Sequence, residues 1–320
     1  MSRLQIHIPI SPTPSFFTMV QYLAASLRRY AGLFADARLI VSIGDDCEPF
    51  DIAAAYPQLA PYGITWRWVD REAFRRHSYF ATGLDRWAEP FESDFVLMAD
   101  ADMLIMSDFS DVAARLSQPR GIAGVTATMP PWLGRNKGDV DGERWQEMFA
   151  LAGLQPPVFD CPHPGNGLYY PVGGGMPCGP AYYNFGFVLG TRDAMNAIAK
   201  TFAQDYYLAA DFMQTDLSAQ AGLTLSIIRN AIDYQALPVR YNFWAEGGYH
   251  QAFPQEAADV RILHYLNGPF QKDRDIESPA HVEAWLRAHK NDEGSHAKFI
   301  WQAVKKAHAA VAAECQDLAA

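Results

Sequence analysis

The sequence predicts an α/β fold in which a mostly parallel sheet is flanked by helices and followed by a helical C-terminal extension. Strand and helix signals alternate through the first third of the chain, which is typical of parallel strands joined by helical crossovers. Residues 95–99 are apolar throughout, as expected of a strand that helices cover on both faces. Residues 280–318 carry one apolar stripe at helical spacing, which predicts the extension.

The first part of the chain supplies the strand–helix units of this sheet. Strands are expected at 4–8, 37–43, 64–69 and 95–99, with helices at 15–31, 51–59 and 78–90. Pro9 is expected to end the first strand, because proline has no N–H to donate. Ligands of such sheets bind at the carboxyl ends of the strands, so polar residues at those ends are the first functional candidates.

The second part of the chain continues the alternation after a long irregular segment. Residues 130–180 are rich in proline and glycine, a composition that favours a functional loop or lid. The elements expected around that segment are strands at 121–127, 182–190, 224–228 and 260–265 and helices at 142–153, 191–208 and 212–222.

Composition limits the class of protein. The chain of 320 residues has a formal net charge of −10, which argues against nucleic acid as a partner. Four scattered cysteines do not form a disulfide framework, and no apolar stretch is long enough to span a membrane. We therefore expect a cytoplasmic protein, in which the C-terminal lysines leave weak association with a membrane surface open.

Asp100 and Asp102 carry the strongest functional signal. They follow the apolar run 95–99 directly and precede a second apolar run at 103–106. In extended chain, residues two apart point the same way, so both carboxylates are expected on one side. Clustered carboxylates in apolar surroundings are costly unless a cation joins them, and oxygen ligands suit Mg²⁺ or Mn²⁺.

Two further segments, in this order, extend the pattern into a family resemblance. Residues 182–190 (YYNFGFVLG) resemble the Phe-Asn-Ser-Gly-Val-type strand of glycosyltransferase family 8, the glycogenin and lipopolysaccharide galactosyltransferase family. Residues 262–272 (ILHYLNGPFQK) are similar to that family's closing His-x-x-Gly-x-x-Lys-Pro-Trp motif. The resemblance implies a Rossmann-like GT-A fold and a nucleotide-sugar glycosyltransferase.

The resemblance also implies roles for particular residues. It makes His264 a third metal ligand beside Asp100 and Asp102, with Mn²⁺ or Mg²⁺ as the cofactor. Gly268 and Lys272 would hold the diphosphate. The other residues expected to contact the donor are Ser11 under the base, Asp45 or Asp46 at the uracil imide, Arg86 and Ala101. Those expected around the anomeric carbon are Asn184, Gln214 and Asp216.

By the same resemblance, residues 1–280 form the catalytic domain and 281–320 its C-terminal helices. Within that domain, 1–128 would bind the nucleotide, 129–182 would form a loop or lid, and 183–280 would hold the acceptor and metal.

The expected reaction is transfer of a sugar from a nucleotide diphosphate donor, a UDP-sugar, to a carbohydrate or other hydroxyl acceptor. Configuration at the anomeric carbon is retained if the family analogy holds, and inverted if Asp216 deprotonates the acceptor as a general base.

Two alternatives belong to other classes. A phosphohydrolase of the haloacid dehalogenase type also places Asp-x-Asp after a buried strand, but its motif usually lies near the N-terminus. Thr or Val usually follows there at the position that Leu104 occupies in this chain. A non-catalytic nucleotide-sugar binding module is the second alternative, and it requires only that the residues around Asp216 be inactive.

Overall fold

The structure is a computed structural model that describes residues 2–88, 90–116, 118–132, 141–165, 178–215, 217–265, 277–292 and 294–317. The chain divides into two compact units. The first comprises Met1–Arg86, Leu97–Asp111 and Arg240–Ala320, and the second comprises Trp87–Val96 and Val112–Val239.

The strands are, in chain order, β1 (Leu4–Ile10), β2 (Arg38–Ile43), β3 (Thr65–Trp68), β4 (Phe95–Ala99), β5 (Met103–Ile105), β6 (Gly121–Thr126), β7 (Cys161–Pro162), β8 (Cys178–Gly179), β9 (Tyr183–Thr191), β10 (Asp233–Ala236), β11 (Phe243–Trp244) and β12 (Ile262–His264). The α-helices are α1 (Pro14–Tyr30), α2 (Ile52–Ala55), α3 (Arg71–His77), α4 (Tyr79–Asp85), α5 (Asp111–Arg115), α6 (Asp141–Leu151), α7 (Arg192–Ala199), α8 (Phe202–Met213), α9 (Ser218–Arg229), α10 (Gly247–Ala252), α11 (Pro254–Ala257), α12 (Pro279–Ala288) and α13 (Ser295–Asp317). Short 3₁₀ helices cover Gly32–Phe34, Pro57–Tyr62 and Val239–Tyr241.

In the first unit, the strand order is β4-β1-β2-β3, and β1, β2 and β3 pair in parallel. The carboxyl ends of β1 and β2 are in register, since Ile10 pairs with Ile43. A small second sheet has the order β11-β12-β5, in which β12 is parallel to β11 and antiparallel to β5. These two sheets carry the candidate site.

Helices α1 and α13 pack against each other beside β5 in the first unit. Thr13 caps α1 by accepting the N–H of Phe16, and Pro14 opens the helix where no intrahelical donor is needed. Tyr22 of α1 and His308 of α13 are joined by a side-chain hydrogen bond of 2.6 Å. The predicted helical extension is therefore present, and it docks on the unit that contains the site.

In the second unit, β10 pairs in parallel with β6, and β6 pairs antiparallel with β9. Helices α8 and α9 cross at close range, because Gly222 has no side chain to meet the backbone of Tyr206. A buried ion pair joins the two helices, with Asp205 fully buried and 2.7 Å from the guanidinium of Arg229. The hydrophobic core of this unit includes the fully buried Trp145.

The α/β fold class is confirmed, and most strands lie within a residue or two of their expected places. The predicted strand at 224–228 is wrong, because these residues belong to α9. Thr224 donates to the carbonyl of Gln220 one helical turn earlier. A buried helix and a buried strand share the same short apolar run, so periodicity alone did not separate them.

Three boundaries also differ from expectation. β1 continues through Pro9 to Ile10, because proline's φ suits extended chain and only one ladder donor is lost. The helix expected at 78–90 is the shorter α4, and the unexpected α3 precedes it, with Ser78 at a φ of 56° between them. The helix expected at 191–208 is two helices, α7 and α8.

Within the described residues, no helix combines the length and the apolar character needed to cross a bilayer. The cytoplasmic location stays a prediction.

Candidate metal centre

Asp100 and Asp102 lie in a short bend between β4 and β5. The apolar runs on either side form the two strands, and the side chain of Ala101 between the aspartates is buried. The carboxylates are therefore brought together by a bend rather than along one extended strand, which corrects the geometric argument made from sequence. The expectation that they lie together is met.

The small sheet brings His264 to the same place from a distant part of the sequence. His264 ends β12, where it pairs with Met103 of β5. The N–H of Tyr265 donates to the carbonyl oxygen of Asp102 at 3.1 Å, so the pairing continues past the strand ends. This register places His264 Nε2 3.3 Å from Asp102 Oδ1.

The three side chains form one cluster. Each of Asp100, Asp102 and His264 offers a ligand atom, and these atoms lie within 4.8 Å of one another. His264 is 1% exposed and Asp102 is 8% exposed. Within the described residues, no second group of three His, Cys, Asp or Glu side chains comes this close together.

The electrostatics of the cluster favour a bound cation. Burial and the neighbouring carboxylate of Asp102 raise the pKa of Asp100, although His264 and Arg86 act in the opposite direction. Burial lowers the pKa of His264, but the carboxylates of Asp102 and Asp100 outweigh burial, and the net pKa is raised. The ionised form of Asp100 is therefore disfavoured at this site, and a divalent cation bound between the ligands would stabilise it.

The ring nitrogen of His264 that faces away from Asp102 forms a hydrogen bond with Asn242. His264 Nδ1 lies 2.9 Å from Asn242 Oδ1, and Asn242 is 3% exposed. Sequence reasoning missed Asn242, since a single asparagine between two short strands carries no motif.

These residues fit a divalent metal. His264 Nε2 is buried and makes no well-formed hydrogen bond, although it lies 3.3 Å from Asp102 Oδ1. Two carboxylates and one imidazole are a ligand set suited to Mn²⁺, and to Mg²⁺ through its oxygens.

Arg86 lies beside the cluster, as expected, but not on a helix. It is the residue that follows α4, it is 4% exposed, and its guanidinium Nη1 lies 3.5 Å from the carbonyl oxygen of Ala99. Burial lowers the pKa of Arg86, and the charge of Asp100 opposes that shift. The charge of Arg86 thus partly offsets the cost of burying the ionised carboxylate of Asp100.

The residues predicted to hold the nucleotide lie at the carboxyl ends of β1 and β2. Ser11 follows β1, while Asp45 and Asp46 follow β2 after Gly44. Gly44 is required there by close packing, because a Cβ atom would lie 1.8 Å from Thr82 Oγ1 of α4. The N–H of Gly44 donates to the carbonyl of Ile10 at 3.0 Å, which keeps the two strand ends together.

The two aspartates are in different environments. Asp46 is exposed and pairs with Arg75 at 2.6 Å and with Arg71 at 3.6 Å. Asp45 is half-buried and accepts the main-chain N–H of Cys47 at 2.8 Å.

Asn184 and Gln214, two of the residues predicted around the anomeric carbon, lie in the second unit. Asn184 is the second residue of β9 and accepts the N–H of Gly186 at 2.8 Å. Gln214 follows α8 as its C-cap, with a left-handed φ of 53°. Asp216, Gly268 and Lys272 lie outside the described residues. The predicted roles of all five stay predictions.

Solved structures resemble this fold, although the sequence comparisons found no match. No family model matches the chain, and no curated protein matches its sequence. An active-site mutant of LgtC, a galactosyltransferase, matches with a TM-score of 0.50 and 17% identity over 83% of this chain and 88% of that one. The apo-form glycosyltransferase GlyE of Streptococcus pneumoniae matches with a TM-score of 0.50 and 14% identity over 100% of this chain.

The chain spans 64% of GlyE and 46% of a further match, the bifunctional glycosyltransferase WbbM (TM-score 0.49, 13% identity, 82% of this chain). At these identities the likeness establishes architecture. The chain has the GT-A fold of nucleotide-sugar glycosyltransferases, as the resemblance to family 8 predicted.

Proposed function

We propose that this protein is a metal-dependent glycosyltransferase that moves a sugar from a UDP-sugar to a hydroxyl group of a carbohydrate or another acceptor. The observation that carries the proposal is the cluster of Asp100, Asp102 and His264 within a GT-A fold. An acidic bend after β4 would be a costly arrangement in a protein that bound no cation there. The alternative phosphohydrolase and binding-module functions have no comparable observation in their favour.

In this reaction the bond between the anomeric carbon and the diphosphate oxygen breaks, and the electron pair leaves with the diphosphate. A bond to the acceptor oxygen forms, and the acceptor hydroxyl loses its proton. Asp100, Asp102 and His264 would hold Mn²⁺ or Mg²⁺, which when bound offsets the charge of the departing diphosphate. Arg86, Lys272 and the main chain at Gly268 would contribute further positive potential to the donor site.

The remaining assignments belong to the same proposal. Ser11 and Asp45 or Asp46 would contact the nucleoside, and Ala101 would lie against the donor. Asn184, Gln214 and Asp216 would surround the anomeric carbon. Retention of configuration is the outcome that the resemblance to family 8 supports, and a general-base role for Asp216 would produce inversion instead.

The test is thermal unfolding of the full chain with and without Mn²⁺, in the presence of UDP-, GDP-, ADP- or dTDP-sugars. A ligand that binds only the folded state at about a hundred times its Kd adds roughly 2.7 kcal/mol to the free energy of unfolding. We expect UDP-sugars to raise the melting temperature only when Mn²⁺ is present. Asp102→Asn should abolish this shift.

Asp111→Asn is the matched control, because it also removes one carboxylate from the first unit and Asp111 accepts the hydroxyl of Tyr241. It should keep the Mn²⁺-dependent shift. A lack of any shift with all four nucleotides, or a shift that survives Asp102→Asn, would overturn the proposed function. Where turnover is found, the anomeric configuration of the product by NMR decides between retention and inversion.

A further inference from the structure

The hydrogen bond between Asn242 and His264 carries an inference about how the metal centre is prepared. We propose that Asn242 is a positioning residue that fixes the tautomer of His264, so that the lone pair of Nε2 is available to the cation that Asp100 and Asp102 would hold with it. The inference rests on the proposed metal site for its function, although the tautomer itself can be measured without metal. Asn242 has no role in the reaction chemistry.

The fold holds the two side chains in a fixed relationship. Asn242 immediately precedes β11, whose Trp244 pairs with His264 of β12. The N–H of Ala245 donates to the carbonyl oxygen of His264 at 2.9 Å, which continues the parallel pairing of β11 and β12 by one residue. Both side chains are almost wholly buried, so water is excluded from the bond between them.

The chemistry of the pair selects one tautomer. A carboxamide oxygen only accepts hydrogen bonds, so the 2.9 Å contact with Asn242 Oδ1 requires the proton on His264 Nδ1. A neutral imidazole with its proton there has its lone pair on Nε2. The opposite tautomer would set two lone pairs against each other in a buried site, which costs free energy.

The other ring nitrogen, Nε2, lies on the side of the proposed metal ligands. Nε2 lies 3.3 Å from Asp102 Oδ1, but the two atoms make no well-formed hydrogen bond, and Nε2 has no other hydrogen-bond partner. A metal-binding imidazole needs this arrangement, with the far nitrogen donating to an oxygen and the near nitrogen free to coordinate.

Two substitutions separate the hydrogen bond from the volume of the side chain. Asn242→Asp keeps an acceptor oxygen at the same position. Asn242→Leu keeps a similar volume but removes the acceptor. The matched control is Asn196→Leu, because Asn196 is also a partly buried asparagine, and its amide bonds the backbone of Phe91 in the second unit.

The first measurement is the affinity for Mn²⁺ alone, by calorimetry on the full chain. We expect Asn242→Leu to weaken binding about 10- to 100-fold, as loss of an outer hydrogen bond does at metal-bound histidines. Asn242→Asp should bind Mn²⁺ as tightly as the natural protein or more tightly. Asn196→Leu should bind with unchanged affinity, even if its melting temperature falls.

The second measurement is the ¹⁵N NMR spectrum of the His264 ring in metal-free protein, at a pH high enough to make the imidazole neutral. We expect the proton on Nδ1 in the natural protein and in Asn242→Asp, and a mixture of tautomers in Asn242→Leu. This readout remains decisive if Asn242→Leu fails to fold, because the natural protein alone reports the tautomer.

The outcomes distinguish the two proposals. If the natural protein binds no Mn²⁺ but its His264 carries the proton on Nδ1, the metal site is wrong and the positioning role of Asn242 stands. If the natural protein binds Mn²⁺ and Asn242→Leu binds it equally well, Asn242 does not position the ligand. A proton on Nε2 of the natural, neutral His264 overturns the inference directly.

Discussion

Met103 and His264 lie directly opposite each other across the antiparallel strands β5 and β12. This single pairing joins residues that are far apart in sequence and brings the imidazole within 3.3 Å of the Asp102 carboxylate. Because side chains alternate between the faces of a strand, a slip of one residue would turn His264 away from the aspartates. The candidate metal centre therefore depends on strand register as much as on its three ligands.

Substituting Arg86 should lower the stability of the metal-free protein and raise its affinity for Mn²⁺. Arg86→Met removes a buried cation whose charge favours the ionised form of Asp100, so the metal-free protein should be less stable by about 1–3 kcal/mol. The same change removes a positive charge that opposes a bound cation, so Mn²⁺ should bind several-fold more tightly. Denaturant unfolding of the metal-free protein and Mn²⁺ calorimetry measure the two effects.

Arg229→Met is the control for Arg86→Met. It also removes an arginine that acts on a buried carboxylate, here through an ion pair with Asp205 in the second unit. Its free energy of unfolding should fall while its Mn²⁺ affinity stays the same. Equal Mn²⁺ affinities in Arg86→Met and the natural protein would show that Arg86 does not act on the metal centre.

Asp45 and Asp46 should contribute unequally to binding of the nucleotide. Asp46 is engaged by Arg75 and Arg71, whereas Asp45 is half-buried at the end of β2 and bonded to the N–H of Cys47. We expect Asp45→Asn to weaken UDP binding about tenfold, the effect of losing one hydrogen bond to a charged group. Asp46→Asn should change it little. Calorimetric titration with UDP in Mn²⁺ tests this, and the reverse order would assign the base to Asp46.

Gly44→Ala should disturb both stability and the nucleotide site. The added Cβ would lie 1.8 Å from Thr82 Oγ1, so β2 and α4 must separate, at a cost of about 1–3 kcal/mol. Thr82→Ala removes the nearest atom, although Thr82 Cβ at 3.0 Å remains a tight contact. The double variant should therefore recover part of the loss. Additive losses in urea unfolding would mean that this contact does not determine the stability of Gly44→Ala.

The sequence predicted the strands better than the helices. Apolar runs such as 95–99 mark strands buried on both faces, and the structure has β4 at these residues. Helix boundaries depend on local breaks that periodicity does not detect, as at Ser78 between α3 and α4. The residues 224–228, expected as a strand, lie in α9. This helix packs against α8 at Gly222, and the local sequence does not show that contact.

The site was predictable only where its residues are local. Asp100 and Asp102 are two positions apart, and their apolar surroundings alone indicated a cation. His264 required the family resemblance, since its approach to Asp102 depends on the pairing of β12 with β5. Asn242 could not have been found from sequence, because its role is defined by one hydrogen bond across the small sheet.

His7 should make the protein sensitive to mild acid. It is 2% exposed on β1, and burial, with the charges of Arg86, Arg67 and Arg38, lowers its pKa to about 3. The unfolded chain would protonate His7 near its ordinary pKa of 6.5, while the folded protein does not. Between these two values the unfolded state holds one more proton, so stability falls as the pH falls, by about 1.4 kcal/mol per pH unit from this residue.

The variant His7→Gln isolates that contribution to the pH dependence. The stabilisation is present above pH 6.5 and is lost as the pH falls toward 3. The free energy of unfolding of the natural protein should therefore fall relative to that of His7→Gln across this window. Urea unfolding at pH 7.5, 6 and 5 measures it. His281→Gln, at an exposed position of α12, controls for the loss of one histidine. If His7→Gln and the natural protein lose stability in parallel, His7 is not held neutral by burial and its arginine neighbours.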